Sequence, residues 1–310
     1  TTVVIKMLNS YHLKGSASRH SAPSLPRCSL PKGLSCLQNR RTFKATSIHA
    51  ASKVVSLDFD GVVCDSVGES SLSAIKAATK LWPDVFDTPA TRARHDELVE
   101  KMRIVRPVVE TGYENLVQIR CLLEGMSPEE ILSNWGEILP KYMQHWGLER
   151  AKLVELFGGV RDDWITSDLP SWLGANRIYQ GVADPVREAL AQQEVYIVTT
   201  KQAHFTEILM RDMAKVDFPA DRIFSQTVSG RPKGEVLQML TDKHTGMQKM
   251  IFVEDKLSTL EKVAKDPKLE GWELYLVDWG YNTEEERARA SQHPRIQVIS
   301  TQQFADLLQK

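Results

Sequence analysis

Short apolar segments alternate with helical segments through the second half of this chain. The alternation begins near Ile178, and strand-like apolar runs recur at 195–199, 222–225, 249–253, 273–277 and 297–299. A further apolar run, Lys53–Leu57, lies far upstream. Strands that alternate with helices form βαβ units, which build a parallel sheet covered by helices. The sequence therefore predicts an α/β fold with a Rossmann-like parallel-sheet core.

The stretch between the upstream run and Ile178 has helical periodicity instead. Ser127-Pro128-Glu129-Glu130 has the capping serine, early proline and acidic first turn that are typical of a helix start. Near the end of the stretch we expect two separate helices, at 148–157 and 163–173. We therefore expect residues 67–177 to form an α-helical cap, inserted into a core built from 53–66 and 178–310.

The charge of the chain is divided unevenly. Residues 1–57 contain nine Lys/Arg and no acid, whereas from Asp58 onward 30 Lys/Arg accompany 40 Asp/Glu. The Ser- and Arg-rich segment 1–52, with Met7 as the expected start, resembles a chloroplast transit peptide, with a mitochondrial presequence as the second interpretation. A disordered basic tail is the third. The acidic remainder argues against a nucleic-acid partner, and no apolar run is long enough to suggest a membrane partner.

The upstream strand is followed by two aspartates and a glycine, Asp58-Phe59-Asp60-Gly61. Residues two positions apart share one side of a strand, and open α/β sheets bind ligands at the carboxyl ends of their strands. We therefore expect the Asp58 and Asp60 carboxylates to converge on one small site. Taken alone, the pair is equally consistent with two solvated loop carboxylates.

Three more polar groups follow later segments, in a fixed order. Thr199–Lys201 ends one strand, Lys233 opens a helix, and Glu254-Asp255 ends another strand. Together with Asp58–Asp60, this series resembles the motifs of the haloacid-dehalogenase-like hydrolase superfamily. Glu254-Asp255 and the closing segment Val277–Tyr281 resemble the branch that contains phosphoglycolate phosphatases and β-phosphoglucomutases. An inserted helical cap after the first motif is also the layout of that branch.

The resemblance implies a chemical role for the two aspartates. Asp58 would be the nucleophile that forms an aspartyl-phosphate, which divides one difficult step into two easier ones. Asp60 would protonate the leaving oxygen and then deprotonate water. Members of the superfamily that act on carbon–halogen bonds lack this second acid, so Asp60 favours a phosphorylated substrate.

The other motif residues would bind phosphate and metal. Thr199 would contact a phosphoryl oxygen, with Thr200 as the alternative contact, and Lys233 would pair with Asp58 and the phosphate. The resemblance also implies Mg²⁺ as cofactor. Its ligands would be Asp58, the backbone carbonyl of Asp60 and Asp255. Glu254 would be an additional ligand, or a residue that supports the ligands without touching the metal.

Several charged residues are harder to assign. Lys256 follows Asp255 where the family usually has a small residue, and Thr259 stands where a further acid is common. We interpret Lys201 as a solvated loop charge. Arg103 and Arg106 could face a substrate anion from the cap or could be surface charges, and we favour the surface interpretation.

These expectations combine into a Mg²⁺-dependent phosphatase that acts on a small phosphorylated metabolite in the chloroplast stroma. Two alternatives remain open at this point. One is a phosphomutase of the β-phosphoglucomutase type, which returns the phosphoryl group to the sugar. The other is a catalytically silent relative that only binds a partner. The sequence carries no readable code for the substrate itself.

Overall fold

The centre of the fold is a six-stranded sheet in which all neighbouring strands are parallel. The structure is a computed structural model that describes residues 53–309, so the predicted transit peptide lies outside the described residues. The strands of this sheet are β1 (Lys53–Leu57), β4 (Glu194–Thr199), β5 (Ile223–Ser225), β6 (Lys249–Glu254), β7 (Trp272–Val277) and β8 (Ile296–Ile299). Their spatial order is β5-β4-β1-β6-β7-β8.

Strand β1 is buried on both faces because helices cover both sides of the sheet. Val55 and Leu57 belong to one hydrophobic cluster and Val54 to another, which follows the two-residue alternation of a strand. The covering helices are α8 (Ala183–Leu190), α9 (Ala203–Asp212), α10 (Gln226–Ser229), α11 (Lys233–Lys243), α12 (Leu257–Lys265), α13 (Glu284–Ser291) and α14 (Thr301–Gln309). The expected α/β fold with a parallel core is confirmed.

A block of helices with its own hydrophobic cluster interrupts the core after β1. The chain enters and leaves it through a two-stranded antiparallel ladder, β2 (Cys64–Asp65) with β3 (Arg177–Ile178). The helices of this cap are α1 (Val67–Leu81), α2 (Pro83–Phe86), α3 (Pro89–Arg92), α4 (His95–Val105), α5 (Glu114–Leu123), α6 (Pro128–His145) and α7 (Arg150–Gly174).

Helix α7 covers both helices expected near the end of the cap, but it is divided at another place. The backbone is helical across the expected break at 158–162, and two helical parts meet at a kink at Asp168, with φ −156° and ψ 71°. Pro170 follows two residues later, and proline disfavours the regular helical hydrogen bonds before it. The helix therefore bends there without a connecting loop. Within residues 53–309, no helix combines the length and apolar character needed to cross a bilayer.

Candidate active site

Three carboxylates lie together where two central strands end. Asp58 follows β1, Glu254 is the last residue of β6, and Asp255 follows it. The two strands are adjacent and Leu57 pairs with Val253, so their carboxyl ends are level. One oxygen from each carboxylate lies within 4.8 Å of the others, and all three residues are buried. The structure therefore brings together the three side chains that the sequence predicted as metal ligands.

Lys233 lies against this group at the start of α11. Its Nζ is 2.8 Å from Asp58 Oδ2 and 2.8 Å from Glu254 Oε2. A helix N-terminus is an unfavourable place for a cation, so the two carboxylates are what stabilise it there. Burial lowers the pKa of Lys233, but the charges of Asp58 and Glu254 outweigh it and hold that pKa above its usual value. We call these four residues (Asp58, Lys233, Glu254 and Asp255) the nucleophile cluster.

The nucleophile cluster has an excess of negative charge. Burial, and then the charge of Asp58, raises the pKa of Asp255 to about 7. The same two causes raise the pKa of Glu254. Glu254 Oε1 is buried and lacks a hydrogen-bond partner within residues 53–309. Buried carboxylate oxygens that repel one another are a donor set that fits a hard divalent cation such as Mg²⁺.

Two glycines allow Asp255 to be packed tightly. Gly61 has φ +87°, and a Cβ on it would lie 2.0 Å from Asp255 Oδ2. A Cβ on Gly280 would lie 2.4 Å from the Cβ of Asp255. The backbone N–H of Tyr281 donates a hydrogen bond of 2.9 Å to Asp255 Oδ2. The glycine after Asp60 and the segment Val277–Tyr281 thus both serve to place one carboxylate.

Asp60 borders the same cavity as Asp58 but has different partners. Ser66 Oγ donates to Asp60 Oδ1 at 2.6 Å, and Lys201 Nζ lies 3.1 Å from that oxygen. Burial raises the pKa of Asp60, but the charges of Lys201 and then Arg106 lower it by more than burial raises it. The net pKa of Asp60 is therefore below its usual value. The second aspartate is therefore held as a carboxylate beside a cation.

Thr199 and Thr200 take different positions at the end of β4. Thr199 is 1% exposed, and its Oγ1 accepts a hydrogen bond of 3.1 Å from the backbone N–H of Lys201. Thr200 borders the cavity, whereas Thr199 is not among the residues that line it. Thr200 Oγ1 donates to the Glu110 carbonyl of the cap at 3.2 Å. The phosphate contact of either threonine stays a prediction, and Thr200 is the one at the cavity wall.

The cavity at this edge of the sheet has a volume of about 280 Å³ and lies between core and cap. Lys256 is one of its wall residues, and its Nζ donates to the Pro107 carbonyl of the cap. The unusual lysine after the metal-ligand position therefore extends to the cap and does not pair with Asp255. Other cap residues at the wall are Arg106, Val109, Glu110 and Thr111.

Two interpretations of basic residues are wrong. Lys201 is 5% exposed and ion-paired, so it is not a solvated loop charge. Arg106 borders the cavity with its guanidinium 4.1 Å from the Tyr281 ring centre, so it is not a surface charge. Arg103 is half exposed and reaches Asp65 at 3.4 Å. Only the nearness of Lys201 to a motif strand end could have suggested its place from the sequence.

Comparison with known proteins identifies the fold. No family model matches the sequence. No curated protein matches it either. A structure from Lactobacillus delbrueckii subsp. bulgaricus, named as a phosphoglycolate phosphatase, is 12% identical with a TM-score of 0.53, covering 83% of this chain and 97% of that one.

Two further solved structures agree with it. A predicted phosphatase from Clostridium acetobutylicum is 15% identical with a TM-score of 0.51, covering 84% and 99% of the two chains. A haloacid dehalogenase-like hydrolase from Bacteroides fragilis is 14% identical with a TM-score of 0.50, covering 82% and 100%. The activity names of all three proteins are themselves predictions, and identities this low establish the fold alone. The chain therefore has the haloacid-dehalogenase-like hydrolase fold that its sequence motifs predicted.

Proposed function

We propose that this chain is a Mg²⁺-dependent phosphatase that hydrolyses a small phosphorylated metabolite through an aspartyl-phosphate. The observation that carries the proposal is the contact of Lys233 with Asp58, inside a buried set of carboxylates and at the wall of a cavity. A nucleophilic carboxylate and a phosphate repel each other, and a lysine between them reduces that repulsion. The names of the structural neighbours agree with this reaction class.

Asp58 supplies the nucleophile. An Oδ of Asp58 attacks phosphorus, the bond from phosphorus to the leaving oxygen breaks, and an aspartyl-phosphate forms. The backbone N–H of Phe59 already donates to Asp58 Oδ1 at 2.7 Å, and Lys233 contacts Oδ2. These two contacts fix the plane of the carboxylate and orient it toward an incoming phosphate.

Asp60 supplies the proton transfers. It gives a proton to the leaving oxygen in the first step and takes one from water in the second, as the bond between Asp58 and phosphorus breaks. Since Lys201 holds the pKa of Asp60 low, Asp60 begins as a carboxylate; it takes up a proton from solvent when the substrate binds and returns one to solvent after the products leave. An arriving phosphate raises the proton affinity of a neighbouring carboxylate through charge repulsion, which supplies that change.

The nucleophile cluster would hold the metal ion. Asp58, Asp255 and Glu254 offer carboxylate oxygens, and the backbone carbonyl of Asp60 would complete the protein ligands. Bound Mg²⁺ would neutralise charge on the transferring phosphoryl group. The protein residues would orient the phosphate and exclude water, which the cap contacts of Thr200 and Lys256 assist.

The cavity restricts the size of the substrate. Its volume of about 280 Å³ lies at the lower end of the range of small-molecule sites. A nucleotide or a macromolecular phosphate would have to displace the cap residues that border it. The expected substrate is therefore a compact phosphate monoester, and we propose the chloroplast stroma as its compartment, as the leader composition suggests.

The test is release of inorganic phosphate by the purified chain from a panel of small phosphate monoesters, with Mg²⁺ and with EDTA. We expect turnover that needs Mg²⁺ and that Asp58→Asn abolishes, while Asp163→Asn on the exposed cap surface retains it. Turnover by Asp58→Asn would contradict the assignment of Asp58 as the nucleophile. An isomerised sugar phosphate in place of released phosphate would indicate the phosphomutase alternative, and no turnover across the panel would indicate a binding protein.

A further inference from the structure

A second group of buried charges lies on the other side of Asp60. Lys201 Nζ is 3.1 Å and 3.4 Å from the two carboxylate oxygens of Asp60. The same Nζ lies 3.8 Å from Glu69 Oε2 in the cap helix α1. The side chains of Lys201 and Glu69 are 1% and 0% exposed. One ammonium group thus lies between a carboxylate of the core and a carboxylate of the cap.

Glu69 is itself held firmly by the cap. Arg161 of α7 donates two hydrogen bonds to it, from Nε at 2.7 Å and from Nη2 at 2.8 Å. Ser73 Oγ donates to Glu69 Oε1 at 2.7 Å, and Trp172 Nε1 donates to the same oxygen at 3.3 Å. A bidentate arginine pair leaves a carboxylate little freedom of orientation. We call Asp60, Lys201, Glu69 and Arg161 the Lys201 network.

The position of this network suggests more than structural stabilisation. Buried ion pairs contribute little net stability compared with well-packed apolar side chains. Here the pairs end on Asp60, which transfers a proton in both steps of the proposed reaction. A carboxylate on a single Cβ can rotate, and a displacement of about 1 Å at a reacting group can reduce the rate about 100-fold. A fixed ammonium removes that freedom.

We infer that Lys201 is the positioning residue for Asp60, and that Glu69 in turn positions Lys201 from the cap. The inference rests on the proposed phosphatase function, in which Asp60 transfers protons. It gives the cap a direct influence on the chemistry, since Glu69, which contacts Lys201, belongs to cap helix α1, and Arg161, which holds Glu69, belongs to cap helix α7. Lys201 does not contact the phosphate in this scheme and acts only through Asp60.

The experiment uses a substrate whose leaving group needs no proton. With p-nitrophenyl phosphate, formation of the aspartyl-phosphate does not depend on Asp60, whereas its hydrolysis does. Rapid mixing of the full chain with Mg²⁺ and this substrate separates a first burst of p-nitrophenol from the steady rate. For Lys201→Met we expect the burst to remain and the steady rate to fall about 100-fold. The ratio kcat/KM should change less than about twofold, because it reports only the steps up to formation of the aspartyl-phosphate.

Two comparisons distinguish positioning from general damage. In the Asp60→Asn background, Lys201→Met should cause less than about a twofold further loss, because residues that act as a unit are not additive. Lys80→Met removes an exposed lysine of the cap that pairs with Asp163, and it should leave both phases unchanged. An alkyl phosphate, whose leaving oxygen does need a proton, should show no burst with Lys201→Met.

Lys201→Arg keeps the charge and gives a test that does not depend on how well the methionine variant folds. We expect it to retain the burst and to recover most of the steady rate. The inference is overturned if Lys201→Arg is as slow as Asp60→Asn, if burst and steady rate fall together, or if the losses from Lys201 and Asp60 multiply. A wild-type chain without any turnover would overturn the proposed function and this inference with it.

Discussion

The nucleophile cluster and the Lys201 network are neighbours with opposite charge balance. The first places three carboxylates around one lysine, whereas the second alternates two carboxylates with a lysine and an arginine. The pKa values of Glu254 and Asp255 are raised, mainly by burial, whereas cations hold those of Asp60 and Glu69 below their usual values. The nucleophile cluster therefore has more carboxylates than cations, whereas in the Lys201 network the numbers of carboxylates and cations are equal.

This contrast explains how two aspartates only two residues apart could have different tasks. A carboxylate in a group with excess negative charge is suited to share a metal ion and to attack phosphorus. A carboxylate beside a fixed ammonium is suited to stay in place and exchange protons. Different environments that separate the behaviour of paired carboxylates are a general device of acid–base catalysis. The predictions below remove or add charge in one group at a time.

The largest expected effect is on activity in Asp58→Asn. Loss of the attacking oxygen should reduce phosphate release by about 10⁴-fold or more. The melting temperature should change little, because Lys233 keeps Glu254 as a partner and one repelling charge is gone. Phosphate release and thermal unfolding measured on the same samples check both statements. A large fall in melting temperature would mean that Asp58 is needed mainly for folding.

The largest expected effect on stability is in Glu69→Gln. It leaves the buried Arg161 and Lys201 without their shared carboxylate, and breaking one partner of a buried ion pair costs about 3–5 kcal/mol. Asp163→Asn is the matched control, since the Lys80–Asp163 pair is exposed and worth less than about 1 kcal/mol. Denaturant unfolding of both variants gives the difference. Equal small losses would show that the network is not tightly packed.

Addition of Mg²⁺ should stabilise the folded protein through the nucleophile cluster, and this stabilisation should not depend on the Lys201 network. A ligand at about 100 times its Kd raises the free energy of unfolding by about 2.7 kcal/mol. We expect a higher melting temperature with Mg²⁺ for the wild type and for Glu69→Gln, and no shift for Asp255→Asn, which lacks one of the proposed ligands. A shift that persists in Asp255→Asn would place the metal elsewhere.

The smallest effect is the pH dependence of the Glu69 contribution. Burial raises the pKa of Glu69, but Arg161 and then Lys201 lower it, and its net value is below the usual 4.5. A depressed carboxyl pKa stabilises the folded state above the unfolded pKa, and this stabilisation is lost as pH falls through the folded pKa. The stability gap between the wild type and Glu69→Gln should therefore be full above about pH 5 and narrow below pH 4.5. A gap that stays constant through this range would contradict the ionised state of Glu69.

The sequence predicted the nucleophile cluster through the motif series of the superfamily that it resembles, in which Asp58 and Glu254-Asp255 stand at strand ends and Lys233 opens a helix. Once β1 and β6 are taken as parallel neighbours, Asp58 and Asp255 must meet, and Lys233 follows from the same motif series. In the Lys201 network, Asp60 was predicted from the same motifs, but its contacts with the other three residues were not. Lys201 and Asp60 are 141 residues apart, Glu69 and Arg161 are 92 apart, and neither pair has a periodic pattern. Tertiary packing within the core joins the first pair, packing within the cap joins the second, and packing of the cap on the core places Glu69 beside Lys201.

The helices of the cap also show what sequence patterns predict and what they miss. Helical periodicity located them, and the serine-capped start of α6 at Pro128 is confirmed. The position of the break near the end of the cap was missed: it was expected between 157 and 163, whereas the backbone is helical there and kinks at Asp168. Trp164 and Trp172 lie on either side of the kink, and both are buried in the hydrophobic cluster of the core. Helical periodicity does not report this tertiary packing.

The close fit of Gly61 and Gly280 around Asp255 has a consequence for redesign. Any side chain at either position would push against the carboxylate, so both positions are closed to variation whatever substrate is chosen. The opposite wall includes Val109 and Thr111, which come from a separate stretch of chain and can be exchanged without disturbing that fit. New specificity should therefore be sought by varying the roof of the pocket while its floor is left untouched.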